Sequence, residues 1–175
     1  TWTTYVGGAL ADNVSSINAD GNGDAIFVGR TSSIDYPVQA GAYLTKAAYL
    51  DMMVTKLSAD GNLLWSTYYG GSNNDYGNGV YANKATNEIY VTGKTVSTDF
   101  PTGALAGNVV FQPAIASFTD ATILKFDANG VRQWATYFGG PKSETEGIDI
   151  SLDAAGNVIL CGSTRSNNGI AFGGG

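Results

Sequence analysis

The stretch WSTYYGG (Trp65–Gly71) occurs three times in this chain, with variations. The other copies are WTTYVGG (Trp2–Gly8) and WATYFGG (Trp134–Gly140), so the copies start 63 and 69 residues apart. A phrase of this length that keeps Trp, Thr, Tyr and Gly-Gly at fixed positions indicates a repeated supersecondary unit. The repeat therefore predicts the architecture before any single residue does.

Superposition of the copies predicts four short strands in each unit, which we name a, b, c and d. Strand a is the apolar segment at 14–18, 80–83 and 148–152, and strand b is AIFVGRT, EIYVTGKT or NVILCGST. Strand c is DMMVTKL or DATILKF, and strand d is the Trp strand. Turns rich in Asp, Asn and Gly join a to b and c to d, because these residues tolerate the positive φ of hairpin turns. Longer loops join b to c and d to a.

Units of about 65 residues with two hairpins each predict an all-β protein built of β-propeller blades of four antiparallel strands. A β-solenoid is the alternative, although its coils are usually shorter. We expect residues 1–8 to be the outer strand of a preceding blade, 9–71 and 72–140 to be two full blades, and 141–175 to be a partial blade. Because a ring needs roughly four to eight blades, this ring is incomplete. We expect a fragment of a larger propeller, or the only interpretable part of one; a subunit completed by other copies is the alternative.

The motifs WSTYYGGSNNDYGNGVY, NEIYVTGKT and DFP, followed by DATILKFDANG, resemble the bacterial β-propeller repeat known as SBBP. The resemblance covers nearly the whole chain and weakens in the third unit, where TRSNNGIAF replaces the Asp-aromatic-Pro step. It implies a propeller in a secreted or cell-surface bacterial protein. It implies no reaction, since the motif carries no catalytic residues.

The amino-acid composition disfavours several classes of function. The net charge of −6 disfavours nucleic-acid binding, which needs a basic stripe. Histidine is absent, so the commonest general base and metal ligand is missing. No apolar run approaches the roughly 20 residues of a membrane span. The single cysteine, Cys161, lies in the apolar run VILCG and is predicted to be a small buried hydrophobe in a strand.

The a–b turn of the first unit imitates the start of a calcium loop, with oxygen ligands at alternate positions and a glycine sixth. These ligands would be Asn18, Asp20, Asn22 and Asp24. The glutamate expected at position twelve is replaced by Gly29, and the other copies lack the carboxylates. We therefore predict a polar hairpin and no metal, with calcium as a weak alternative.

Two pairs recur on strand c, Asp51 with Lys56 and Asp120 with Lys125. Residues five apart on a strand point to opposite faces, so neither pair forms a dyad. We predict a solvated lysine and a turn-capping aspartate in each. The Trp and Tyr of strand d, three apart, are likewise predicted to pack on opposite faces.

In an antiparallel four-stranded blade the a–b and c–d turns share one end and the b–c and d–a loops share the other. The second set is longer and varies between copies, and loops on a rigid scaffold are where binding usually occurs. We therefore predict a binding face formed by Asp12, Asn13, Asp35, Tyr36, Asn73, Asn74, Asp75, Tyr76, Asp99, Phe100, Lys142 and Glu144.

The leading hypothesis is a non-enzymatic propeller module that acts as a scaffold or adhesion module and binds a protein or a surface ligand. A glycan-binding propeller is the alternative, and an enzyme with a central-channel site is the third reading. No catalytic residue and no cofactor are predicted. Further expected contacts are the rest of its own propeller, or other copies, at the open blade edges.

Overall fold

The computed structural model describes residues 1–39, 46, 49–104, 111–142 and 146–167. Within these ranges the chain forms strands and connections and no helix. The strands are β1 (Asp12–Ala19), β2 (Ala25–Thr31), β3 (Asp51–Leu57), β4 (Leu63–Tyr69), β5 (Asp75–Ala82), β6 (Ile89–Thr95), β7 (Gly103–Ala104), β8 (Asp120–Phe126), β9 (Arg132–Phe138), β10 (Glu146–Leu152) and β11 (Val158–Ser163).

The strands form three antiparallel sheets in chain order. Blade 1 has the order β1-β2-β3-β4, and blade 2 has β5-β6-β8-β9 with the short β7 added outside β9. The partial blade is the pair β10-β11. The predicted fold class, all-β with four-stranded propeller blades, is confirmed. The sheets lie within the ranges 9–71, 72–140 and 141–175, although the domain boundaries themselves stay predictions.

The cores lie between the faces of successive blades. Val54 and Trp65 of blade 1 and Phe126 of blade 2 are buried in one cluster. On the other face of strand d, Tyr68 belongs to a separate cluster with Phe27 and Met53 of its own blade. The predicted opposite orientation of Trp and Tyr is therefore correct.

Strand a starts earlier than predicted and carries a β-bulge. We placed Asp75 and Tyr76 in a loop, but β5 begins at Asp75, and Asp75 and Tyr76 pair with Thr95 and Lys94. The register shifts between Gly77 and Gly79, and the first and third copies shift at the equivalent place. A bulge disrupts the two-residue alternation of side chains, which is why the polar start of the strand reads as a loop.

Residues 1–8 form no strand in this structure. Trp2 nevertheless repeats a contact of strand d, since its Nε1 donates a hydrogen bond to the carbonyl of Ala59 at 2.6 Å. Trp65 donates in the same way to Ala128, at 3.1 Å. The assignment of residues 1–8 to a preceding blade stays a prediction.

Both Trp rings lie over a turn glycine. Gly61 and Gly130 have φ of +86° and +81°, which L side chains rarely adopt. A Cβ on Gly130 would also lie 2.6 Å from Cδ2 of Trp65. The c–d turn therefore needs glycine both for its backbone conformation and for its contact with the preceding Trp.

The prediction that Cys161 is buried is wrong. The thiol is exposed on β11. Cys161 occupies the position of Thr92 in blade 2, because Gly162 and Gly93 follow them in the same register. Thr92 is buried against Gly147 of the partial blade, whereas no described strand lies over Cys161.

The long b–c loops run partly along the outer edge of strand d. Gln39 and Ser66 exchange backbone hydrogen bonds of 3.3 and 2.8 Å. In blade 2, β7 pairs with Ala135 and Trp134 of β9. These contacts cover backbone groups that would otherwise form an open sheet edge. Among the described residues, none belongs to a helix that could cross a membrane.

Candidate functional site

The two ends of each blade are distinct, as predicted. At one end, here called the turn face, the a–b and c–d turns touch, since the Ala59 amide donates to Asp24 Oδ1 at 3.1 Å. At the other end, the loop face, the d–a and b–c loops touch. The Ala9 amide donates to Asp35 Oδ1 at 2.9 Å, and the Ser72 amide donates to Asp99 Oδ1 at 2.8 Å.

Asp75 anchors the loops of blade 2 and is fully buried. Its carboxylate accepts hydrogen bonds from the Gly71 amide at 2.8 Å, from Ser97 Oγ at 3.0 Å, and from the hydroxyl of Thr95. Ser97 Oγ in turn accepts from the Asn73 amide at 2.9 Å. Burial raises the pKa of Asp75 to about 7, although the donors from Thr95, Gly71 and Ser97 act in the opposite direction. This predicted binding residue holds the loops and does not reach solvent.

Asp12 repeats the arrangement in blade 1. It accepts from the Gly8 amide at 2.7 Å, from Ser33 Oγ at 3.1 Å, and from the hydroxyl of Thr31. The Leu10 amide donates to Ser33 Oγ at 2.9 Å. Asp12 is half-buried, since no described blade covers it. The repeated network fixes the start of each d–a loop to the start of the following b–c loop.

The Asp-aromatic-Pro steps have two separate roles. Asp35 and Asp99 are exposed and bind the amides of the d–a loop, and the Ser72 hydrogen bonds lower the pKa of Asp99. Tyr36 and Phe100 are buried instead. Phe100 packs against Tyr137 with ring centroids 5.8 Å apart, so both aromatic residues belong to the core and are not available to a ligand.

Tyr76 takes part in contacts between neighbouring blades. Its ring lies 5.5 Å from the guanidinium of Arg30 in blade 1 and 5.0 Å from Lys94 Nζ. Lys94 pairs with Glu146 of the partial blade at 3.3 Å. Cation–π contacts and this ion pair therefore connect the loop ends of strands a and b across three sheets.

The remaining predicted loop residues are accessible to different degrees. Asn13, Asn73 and Lys142 are exposed, and Asn74 is half-buried with its side chain accepting from the Leu50 amide at 3.2 Å. Glu144 lies outside the described residues. The structure thus leaves a subset of the predicted face open to solvent.

Sequence reasoning missed a set of large apolar side chains on the loop face. They are exposed beside or within the d–a and b–c loops, with Ile34 at 83%, Tyr49 at 76% and Phe118 at 75%. Leu10 joins them. Their exposure could have been expected from the sequence, because these residues lie outside the strands, where no alternation of apolar and polar side chains predicts burial. Exposed apolar side chains mark protein interaction sites where they form a contiguous patch.

On the turn face, two of the four candidate calcium ligands, Asp20 and Asp24, pair with a lysine. Lys56 Nζ lies 2.7 Å from Asp20 Oδ2 and 3.2 Å from Asp24 Oδ2, and its side chain is only 3% exposed. Asp20 Oδ1 accepts from the Asn22 amide at 2.9 Å, while the Asn18 amide group points to the carbonyl of Val80 at 3.5 Å. The Lys56 ammonium therefore pairs with the two carboxylates of this candidate calcium site. In the described part of the chain, no three His, Cys, Asp or Glu side chains could hold a metal ion.

The prediction of a solvated lysine is therefore wrong for Lys56, because Asp20 and Asp24 draw the ammonium into the blade. Burial acts to raise the pKa of Asp20, but Lys56 and the turn amides hold it below its usual value. Lys125 pairs with Glu88 at 2.8 Å, lies 5.4 Å from the centroid of the Tyr90 ring, and remains 20% exposed. Asp120 caps a turn as predicted, since it accepts from the Ala116 amide at 2.7 Å.

The family comparison agrees with this geometry. The model of the SBBP beta-propeller repeat matches residues 64–101 and 133–170. The first match runs from strand d of blade 1 through strand b of blade 2. The second match runs from strand d of blade 2 through strand b of the partial blade. No curated protein matches this chain. Together with the four-stranded blades, these matches show that the chain contains SBBP-type β-propeller repeats, which form a scaffold fold.

Proposed function

We propose that the chain is a non-enzymatic scaffold or adhesion module, secreted or displayed on a bacterial surface, and that its loop face binds a protein or surface ligand. The proposal rests on one combination of features, namely loops that are fixed at their starts and large apolar side chains that are exposed to solvent. The Asp75 and Asp12 networks fix the loop starts, while Ile34, Tyr49 and Phe118 remain exposed. Preorganised loops lose less conformational entropy when they bind.

Three further features support a binding role. The repeat is a scaffold fold and brings no catalytic motif. The carboxylates of Asp12 and Asp75 are occupied by amide and hydroxyl donors that hold the loops. Accessible polar residues, Asn73 and Asp99 among them, belong to the same set of loops. Protein interfaces commonly combine apolar and polar side chains.

Binding of the labelled chain to an array of immobilised extracellular proteins tests the proposal. The variant Ile34→Ser/Phe118→Ser removes two exposed apolar side chains without touching the networks. Val131→Ser is the matched control, because Val131 is an exposed apolar residue on the turn face. We expect the double variant to lose at least about tenfold in affinity for any bound protein, since interface anchors dominate binding energy, and the control to bind as the parent does. Equal loss in both variants, or no binding by the folded parent, would contradict the proposal.

A glycan ligand is the second candidate, favoured by the exposed rings of Tyr49 and Phe118 in equivalent positions before strand c. Exposed aromatic rings can stack on the apolar faces of sugars. A glycan array probed with the parent and with Tyr49→Ser/Phe118→Ser separates the two candidates. Sugar binding that depends on both rings would favour a glycan ligand over a protein ligand.

A further inference from the structure

Lys56 and Asp20 are held together in a part of blade 1 that excludes bulk water. The Nζ of Lys56 lies 2.7 Å from Oδ2 of Asp20, and the two side chains are 3% and 0% exposed. Asp20 follows β1 and Lys56 lies on β3, so that β2 separates their strands in the sheet. An amine and a carboxyl group are thus kept in contact across the sheet.

The contact does not have the geometry of an ordinary hydrogen-bonded ion pair. Oδ2 of Asp20 is buried and has no hydrogen-bond partner of normal geometry among the described residues, although Nζ of Lys56 is within hydrogen-bond distance. Buried polar atoms without an aligned partner are rare, and a reactive role is one of the recognised explanations. Close approach without that alignment is compatible with attack of Nζ on the carboxyl carbon.

The other oxygen of the Asp20 carboxylate lies where negative charge is stabilised. Oδ1 accepts hydrogen bonds from the backbone amides of Asn22 and Asp24, at 2.9 and 3.1 Å. Two backbone amides directed at one oxygen stabilise the oxyanion that forms when a nucleophile adds to a carbonyl carbon. The a–b turn therefore activates Cγ of Asp20 as an electrophile.

Asp24 supplies a second carboxylate to the same nitrogen. Its Oδ2 lies 3.2 Å from Nζ of Lys56, and its Oδ1 accepts from the Ala59 amide at 3.1 Å. A carboxylate in this position can take a proton from an amine and pass it to a leaving oxygen. A cavity of about 370 Å³, lined in part by Asp24, Lys56 and Asn129, adjoins the group and can take up a released water molecule.

We propose that Lys56 and Asp20 condense to an isopeptide bond that crosslinks strand c to the end of strand a, with Asp24 as the proton carrier. One proton of the ammonium passes through Asp24 to Oδ2 of Asp20, which leaves a neutral amine and a neutral acid. The lone pair of Nζ attacks Cγ, the Nζ–Cγ bond forms, and the carbonyl electron pair moves to Oδ1. Asp24 takes a second proton from Nζ and gives it to Oδ2, the Cγ–Oδ2 bond breaks, and water leaves. The carbonyl then re-forms, and Asp24 is again a carboxylate.

The surroundings of the pair favour this reaction and also make it slow. Two groups held in contact lose no further translational entropy when they combine. The neutral amide also replaces two buried charges, whose desolvation is costly. Burial acts to raise the pKa of Asp20, but Lys56 and the turn amides hold it below its usual value, so the neutral acid is a minor form. We therefore expect the bond to form slowly, after the blade has folded.

The equivalent lysine of blade 2 serves as an internal control. Lys125 lies 2.8 Å from Glu88, but the two side chains are 20% and 31% exposed. In the part of the chain that the structure describes, no second carboxylate lies within ion-pair distance of Lys125. Water competes for this amine and no proton carrier is present, so we expect no bond at Lys125.

The intact mass of the full chain, measured after denaturation, tests the proposal. After storage of the folded protein at neutral pH, the chain should be lighter than its sequence by about 18 Da, the mass of one water molecule. Tryptic digestion should then yield residues 1–30 joined to residues 47–84, because trypsin does not cleave after an acylated lysine. This measurement on the parent needs no variant to fold, and its result does not depend on what the loop face binds.

Three variants assign the loss of water to the named groups. Lys56→Arg keeps the positive charge but should restore the full mass, because a guanidinium stays protonated. Asp24→Asn keeps both reacting groups and should leave most of the chain without the crosslink, since an amide cannot carry the proton. Lys125→Arg is the matched control and should have the same mass deficit as the parent. Tryptophan fluorescence verifies that each variant folds.

Three outcomes contradict the inference. The full sequence mass in the folded parent after long storage overturns it. A mass deficit that survives Lys56→Arg also overturns it, because the water is then lost by ring closure at an Asp-Gly step such as Asp20-Gly21, which crosslinks nothing. Equal mass deficits in the parent and in a folded Asp24→Asn variant overturn the role of Asp24 as the proton carrier.

Discussion

Three side chains at the junction of blade 1 and blade 2 are more buried than their counterparts one repeat away. Lys56 is 3% exposed and Lys125 is 20% exposed. Trp65 is buried whereas Trp134 is half-buried, and Asp75 is buried whereas Asp12 is half-buried. The sequence motif sets the partners of each side chain, but the neighbouring blade decides how much water remains around them. Equal motifs should therefore contribute unequal stability.

The largest difference is expected for the two lysines. Lys56→Ala leaves Asp20 and Asp24 buried beside each other without their cation, which costs about 3–5 kcal/mol of the free energy of unfolding. Lys125→Ala removes a part-exposed pair and costs at most about 1 kcal/mol. Urea unfolding of both variants measures the difference. Equal losses would show that the blade junction does not control the energy of these pairs.

The second difference concerns pH. Burial raises the pKa of Asp75 to about 7, above the 3.8 of the unfolded chain. Between these values the folded protein keeps a proton that the unfolded chain releases, so the free energy of unfolding falls as pH rises. We expect a loss of about 2–3 kcal/mol between about pH 5 and pH 7.

Asp75→Asn should flatten this dependence, because the amide does not titrate. Asp12→Asn is the matched control, since it changes the same network at a half-exposed site. Chemical unfolding at several pH values checks both. A slope that survives Asp75→Asn would assign the dependence to another group.

The third difference concerns the indole of strand d. Trp65→Phe removes the hydrogen bond to Ala128 and part of a buried ring, and should cost about 1–3 kcal/mol. Trp134→Phe should cost less than about 1 kcal/mol, because its ring is half-buried and no described carbonyl accepts its N–H. Thermal unfolding gives the ranking, and the reverse ranking would sink the comparison.

The smallest expected effect lies in the loops. Asp99→Ala removes an exposed carboxylate that accepts from Ser72, and should cost about 0.5–1.5 kcal/mol. Asp35→Ala removes the equivalent contact to Ala9 and should cost the same within error. Amide exchange at residues 9 and 72 should rise in the respective variants. Unchanged exchange at both would mean that these carboxylates do not hold the loops.

Much of the fold could be predicted from the sequence because the repeat gives three views of one unit. Strand number, hairpin pairing and the opposite faces of Trp and Tyr all follow from spacing and alternation. The start of strand a could not be predicted, since the bulge near Asn78 breaks the alternation. The burial of Lys56 could not be predicted either, because the sequence of strand c alone does not show that Asp20 and Asp24 of the a–b turn lie next to it.

The candidate site was harder to predict than the fold. Asp75, Tyr36 and Phe100 are typical of a binding loop when they are read one residue at a time, yet the structure uses them as supports. Hydrogen bonds between segments some 20 to 40 residues apart decide this, for example Tyr137 to the carbonyl of Ser97 at 2.8 Å. A local pattern contains no information about such partners.

The b–c loops that pair with strand d have a consequence for engineering. Gln39 and Gln112 bind the backbone or side chains of Ser66 and Thr136, so each loop is held at its stem on the periphery of the blade. New recognition sequences could be grafted near Tyr49 or Phe118, provided that these stems are kept. Shortening a stem would expose the outermost strand and favour sideways aggregation between molecules. The need to remain soluble thus sets a minimum length for the stems of these loops, even where the sequence of their tips can be changed.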